Sequence, residues 1–137
     1  MSKLTRFSVS LDNDLLARFD AKIRRTGCPT RSKAVADLIS GTLVKEEWKS
    51  GGEVAAAIIM VYDHHKRGLS ARLTQVQHDF HHLIVSSQHI HLDHDNCLEM
   101  VVVKGRSTKV QELAAKLKGT KGVKHTSIAA ASTGAKL

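Results

Sequence analysis

The sequence predicts an α+β chain in two parts: a strand–helix–helix (βαα) unit over residues 1–48 and a ferredoxin-like βαββαβ unit over residues 53–132. Three observations carry that reading. Apolar and polar residues alternate over residues 5–11. Apolar residues then recur at helical spacing up to Trp48. Lys49-Ser50-Gly51-Gly52, the linker-like stretch in mid-chain, precedes a run rich in Val, Ile and Ala.

Taken in order, Phe7, Val9 and Leu11 alternate with Arg6, Ser8 and Ser10, which is a short strand with one apolar and one polar face. Asp12 or Asn13 offers an N-cap, and Leu15, Leu16, Phe19 and Ile23 set a helix over residues 13–26 that Gly27 stops. Pro29 sits in the turn. Thr30 or Ser32 caps a second helix, with Val35, Leu38, Ile39 and Leu43 on one face, ending near Trp48. Residues 49–52 form the linker. Beyond it the pattern predicts a strand over 53–63, a helix over 66–80, strands over 82–92 and 98–104 about a turn at 93–97, a helix capped by Ser107, and a final strand over 122–132. Residues 133–137 are a tail.

The 137 residues suffice for two small domains, each with a limited core, so oligomerisation is expected to supply further burial. The formal charge is +8, which favours a polyanionic partner, most simply nucleic acid. The excess is spread over both halves, so charge alone does not say which half makes that contact. Two cysteines far apart, Cys28 and Cys97, are no disulfide framework, and the N-terminus lacks the apolar core of a signal peptide. The run Val54 to Tyr62 is too short to span a bilayer. A cytoplasmic protein is the expectation.

A lone strand ahead of two helices must pair outside its own unit. Two copies pairing strand to strand make a two-stranded ribbon, with Phe7, Val9 and Leu11 inward and Arg6, Ser8 and Ser10 outward. Such a ribbon fits the major groove, where Arg holds a guanine edge and Ser donates or accepts. The start of the second helix, at Arg31-Ser32-Lys33, offers free N–H groups and positive charge to a phosphate. RFSVSLDNDLL followed by TRSKAVADLI resembles the ribbon-helix-helix family of bacterial repressors.

Eight of the nine histidines lie within residues 64–94: His64, His65, His78, His81, His82, His89, His91 and His94. His89 and His91 are two apart on a strand, so both imidazoles leave one face, and Cys97 returns beside them after the turn. Two imidazoles and a thiolate make a metal site. His78, on the preceding helix, is a candidate fourth donor from the same chain or across an interface. These residues alone leave tetrahedral Zn(II) and planar Ni(II) or Cu(II) open. They also admit two rivals: a metalloenzyme with an open water position and Glu99 as base, and a regulator sensing an amino acid.

The segments Gln77-His78, His89-Ile90-His91-Leu92-Asp93-His94-Asp95-Asn96-Cys97-Leu98-Glu99 and Tyr62-Asp63-His64-His65-Lys66-Arg67 resemble the signature of the NikR family of nickel-responsive regulators. The resemblance spans about residues 4–130. It implies a ribbon-helix-helix domain joined to an ACT-like βαββαβ domain, assembled as a homotetramer that is a dimer of dimers. It further implies planar Ni(II) on His89, His91 and Cys97 of one chain and His78 of another. Arg6, Ser8 and Ser10 would read the bases of a palindromic double-stranded DNA operator, and Lys66 and Arg67 would touch its backbone. The regulated genes would be those of nickel uptake, repressed when nickel is bound. The chain departs from the pattern at Ser8 and Ser10, where relatives often carry Thr. It departs again at Lys33, where some relatives carry a carboxylate for a second, hard cation.

Overall fold

A computed structural model describes residues 3–137. The chain divides into two compact units, the first ending at Gly41 and the second starting at Thr42.

In the first unit, residues 3–12 carry no regular secondary structure. The strand expected at 5–11 is therefore not formed in a single chain. Its ladder partner would have to come from another molecule, and an unpaired strand leaves its N–H and C=O groups to water. Phe7 and Val9 are 68% and 62% exposed for the same reason. Helix α1, Asn13–Thr26, opens under the Asp12 carboxylate, which accepts from the Asp14 amide at 2.9 Å. Gly27, at φ +71°, closes it, donating its N–H to the Arg24 carbonyl. Helix α2, Arg31–Ser50, starts where Thr30 Oγ1 accepts from the Lys33 amide at 3.0 Å. Of the described residues up to Gly41, Ile23 and Ala34 alone are buried.

The second unit takes in the C-terminal part of α2, then β1 (Glu53–Asp63), α3 (Leu69–Asp79), β2 (Ile84–His91), β3 (Asn96–Arg106), α4 (Ser107–Lys118) and β4 (Val123–Ala131). The sheet runs β2-β3-β1-β4 with every neighbouring pair antiparallel, the order expected of a βαββαβ unit. Alternation decides the core. Val54, Ala56, Ile58, Met60 and Tyr62 of β1, with Cys97, Val101 and Val103 of β3, form one cluster with Leu69, Leu73, Val110, Leu113 and Leu117 of the helices. The other sheet face, including Ala57, Ile59, Val61, Met100 and Val102, is only half-buried.

Several boundaries differ from the sequence pattern for identifiable reasons. Helix α2 continues through Lys49 and Ser50, because Trp48 packs on the core and donates Nε1–H to the Ala131 carbonyl at 2.9 Å. Residues 64–68 form turns instead of helix. The Asp63 carboxylate accepts the His65 amide, and Gly68 sits at φ +77°. Strand β2 begins at Ile84, since Leu83 and Ile84 donate to Phe80 and His81 in a turn. Ser107 is not the cap of α4 but its first, buried residue, and its hydroxyl donates to the Trp48 carbonyl at 2.9 Å.

Candidate functional site

The β2–β3 register sets the geometry. His91 stands opposite Cys97, and His89 opposite Glu99. Cross-strand partners share a face, so His89, His91 and Cys97 emerge on one side of the sheet, together with Tyr62, the partner of Cys97 on β1. The turn that doubles the chain back is held by Asp93, whose carboxylate accepts the amides of Asp95 at 2.9 Å and Asn96 at 2.7 Å. Those bonds, the Asn96 pair first, hold the Asp93 carboxyl below its usual range.

The imidazoles of His89 and His91 lie 5.2 Å apart between ring centroids, both on the exposed edge strand. Cys97 is fully buried, and its thiol donates to the Tyr62 carbonyl at 3.3 Å. Burial pushes this thiol above its ordinary range, and the Glu99 and Asp63 carboxylates add to that shift against the Tyr62 hydrogen bond. The donor set suits a late first-row ion, because thiolate and imidazole are the softer and borderline ligands such ions prefer. Binding requires the thiol to turn from Tyr62 and give up its proton.

The residue that sequence reasoning assigned only to a rival enzyme turns out to organise the site. Glu99 is buried, accepting from Tyr62 Oη and Gln77 Nε2, each at 2.6 Å. Its Oε1 also stands 4.0 Å from His89 Nδ1. The carboxylate thus links both strands of the site to the helix that carries His78. Burial, followed by the Glu99 bond, drives the Tyr62 phenol far above its normal range, so it stays a donor. The signal was present in the sequence: Glu99 occupies an inward position between Cys97 and Val101, where a charge is costly unless partnered.

His78 lies in the last turn of α3, its ring 5.8 Å from that of His81 and not against His89 or His91. A second group of donors lies in the turns on either side of the site. Donor atoms of Asp63, His64 and His65, and of His65, His94 and Asp95, lie within 4.8 Å of one another. Desolvation, then the neighbouring His65 and His91, lowers the His64 pKa. His125 sits on β4 opposite Val61, away from these groups.

Of the residues assigned to DNA, Arg6, Ser8 and Ser10 are exposed on the N-terminal segment, and Ser32 on the first turn of α2. Lys66 and Arg67 are exposed in the turn before α3. Arg31 has a competing partner. Its guanidinium grips Asp20 of α1 in a fork, Nε to Oδ1 at 2.9 Å and Nη2 to Oδ2 at 2.6 Å. Lys33 pairs with Asp37 one turn on, at 2.5 Å.

Residues 55–131 match the family described as NikR C terminal nickel binding domain, and residues 5–41 match the ribbon-helix-helix proteins of the copG family. A relative from Syntrophus aciditrophicus is 51% identical over 98% of each chain. One from Chlorobium phaeobacteroides is 50% identical over 96% of this chain and 98% of its own. Both carry the description "Putative nickel-responsive regulator". Among solved structures, an uncharacterized protein from Thermotoga maritima covers 57% of this chain and 96% of its own at a TM-score of 0.52 and 14% identity, a likeness of fold alone.

Proposed function

We propose, from the premise that this chain belongs to the NikR family of nickel-responsive regulators, that His89, His91 and Cys97 of one copy and His78 of another hold Ni(II), and that this capture strengthens binding to a palindromic operator. The family supplies the broader activity: a DNA-binding regulator of transcription with Ni(II) as its metal, and not an enzyme. The finer reading is a repressor of nickel-uptake genes, built as a dimer of dimers in the cytoplasm. No described helix is long and apolar enough to cross a membrane.

The observation that carries the metal assignment is the register that sets His91 against Cys97 and His89 against Glu99. The metal supplies a centre that draws donors of two copies together. The chain's own residues do the rest. Glu99 orients His89, Cys97 yields a proton, and Gln77 ties the helix bearing His78 to the same carboxylate. The half-buried outer sheet face suits a contact between copies of residues 53–132. The exposed Phe7, Val9 and Leu11 suit a ribbon between copies of residues 1–48. In that ribbon Arg6, Ser8 and Ser10 face base edges, while Ser32, Lys66, Arg67 and, in competition with Asp20, Arg31 face phosphates.

Nickel raises DNA affinity only by the difference in its affinity for the DNA-competent arrangement, typically ~5–150-fold. The test is an anisotropy titration of the promoter beside a nickel-transport operon, with and without stoichiometric Ni(II). Tighter binding with the metal is expected, and equal affinity in both removes the sensing role.

A further inference from the structure

We infer that Asp20 of α1 is a specificity-determining residue, a built-in stand-in for a DNA phosphate that withholds Arg31 from non-operator DNA and yields it to an operator. The inference rests on the reading of this chain as an operator-binding regulator and deepens it.

The geometry of the pair is the first ground. Arg31 Nε donates to Asp20 Oδ1 at 2.9 Å and Nη2 donates to Oδ2 at 2.6 Å, so both carboxylate oxygens and one edge of the guanidinium are taken. This planar fork is the arrangement in which Arg grips phosphate as readily as carboxylate. It joins α1 to the first residue of α2, so it is a contact between helices and not between neighbours along one. The two side chains differ in exposure, 62% for Arg31 and 24% for Asp20, which leaves the guanidinium open to a polyanion and the carboxylate mostly covered. The hydrogen bond from Arg31 holds the Asp20 carboxyl below its usual range, so at neutral pH the acid is charged. The second ground is the charge around it. Lys33, two residues on, is likewise paired with an acid, Asp37. Both cations that open α2 therefore carry acidic partners in a chain whose formal charge is +8. A chain so basic holds any DNA through phosphates alone, and pairing these two cations lowers that indiscriminate affinity.

A phosphate displaces the carboxylate only by offering Arg31 a comparable fork. On non-operator DNA a basic protein slides and hops, so no phosphate stays opposite the guanidinium. On an operator, base contacts from Arg6, Ser8 and Ser10 fix the register and hold one phosphate in place. Exchange of acid for phosphate is then favoured where bases are read and not elsewhere, which widens the gap between the two affinities.

Fluorescence anisotropy of the nickel-loaded full chain tests this on two duplexes, the promoter beside a nickel-transport operon and a scrambled duplex of equal length, each at about 50 and about 200 mM salt. Asp20→Ala, a change that a helix interior tolerates, is expected to bind the scrambled duplex more tightly than wild type does. Its log affinity should fall more steeply with log salt, by about 0.9 for each Arg31 released, so the gain is roughly 3.5-fold larger per contact at the lower salt. Promoter affinity changes less, and the ratio of the two affinities falls. Asp20→Asn, which keeps the side chain's shape, moves in the same direction. In an Arg31→Gln background Asp20→Ala gains nothing on the scrambled duplex. An equal gain with and without Arg31 makes Asp20 a bulk charge only and overturns the inference. Weaker binding of Asp20→Ala to both duplexes overturns it too, since Asp20 would then orient Arg31 toward phosphate. Unaltered scrambled-duplex binding beside an intact wild-type preference for the promoter counts against the Asp20 mask alone. Absence of that preference from wild type overturns the operator reading, and this inference with it.

Discussion

Replacing Glu99 by glutamine removes one negative charge from a buried position while keeping the side chain's shape. The carboxylate accepts two short hydrogen bonds, from Tyr62 Oη and Gln77 Nε2 at 2.6 Å each, and faces His89 Nδ1 at 4.0 Å. The amide keeps an acceptor for Tyr62. It presents Gln77 with an NH2 group unless the Gln77 amide turns over. A hydrogen bond to a charged group contributes about 1 kcal/mol more than a neutral one. Converting both therefore costs on the order of 2 kcal/mol, against a typical domain stability of ~5–15 kcal/mol, so Glu99→Gln folds. The larger consequence falls on the metal. A carboxylate beside Nδ1 favours the tautomer that carries its proton there and leaves Nε2 as the donor atom. Losing such a partner typically lowers metal affinity ~10–100-fold, or roughly 1.4–2.8 kcal/mol. Chelator competition on the purified protein measures the affinity, and a thermal melt checks the fold. An intact melt with nickel affinity within about twofold of wild type would refute the positioning role of Glu99. Glu99→Ala strands the Tyr62 hydroxyl and the Gln77 amide, so it is expected to destabilise the fold by about 2–6 kcal/mol.

Cys97→Ala is expected to abolish the charge-transfer absorption of a nickel–thiolate bond, and survival of that band excludes Cys97 as a ligand. Because burial holds the Cys97 thiol above its ordinary 9.0, nickel loading displaces a proton. Apparent nickel affinity should then climb about tenfold per pH unit between roughly pH 7 and 9, and a flat competition profile contradicts this. The metal-free fold responds with the opposite sign. A raised folded-state pKa contributes stability below 9.0 that is lost as pH rises through the folded value, which a series of melts detects. Arg6→Ala should weaken operator binding by about 1–3 kcal/mol and leave nickel affinity unchanged in the same chelator assay. Lys66→Ala should weaken DNA binding evenly across sequences and lower the slope of log affinity against log salt by about 1, whereas a base-reading role would spare the slope.

Much of the second unit was legible because short-range pattern and tertiary burial agree there. The alternation along Val54–Tyr62 predicts both the strand and which of its faces is buried. The spacing of His89, His91 and Cys97 puts three donors on one face once the turn at Asp93 is recognised. Less legible were features that depend on a partner distant in sequence. The prolongation of α2 to Ser50, inside the expected linker, rests on Trp48 reaching Ala131, and the displacement of Ser107 from cap to core rests on that same tryptophan. The His65–His94 contact joins two turns whose sequences give no hint of each other. The N-terminal segment is a different case. Its alternating pattern is plain, but the hydrogen bonds that would make it a strand belong to another molecule, so a single chain leaves it irregular.

That exposed N-terminal arm makes the first unit a creature of mass action. Among the described residues up to Gly41 only Ile23 and Ala34 are buried, so a lone copy has little to oppose the entropy of ordering its helices. Its melting point should therefore rise with protein concentration. At the scarce copy numbers of a cell, each encounter between two chains is then also a folding event, and the supply of competent protein scales with the square of its abundance.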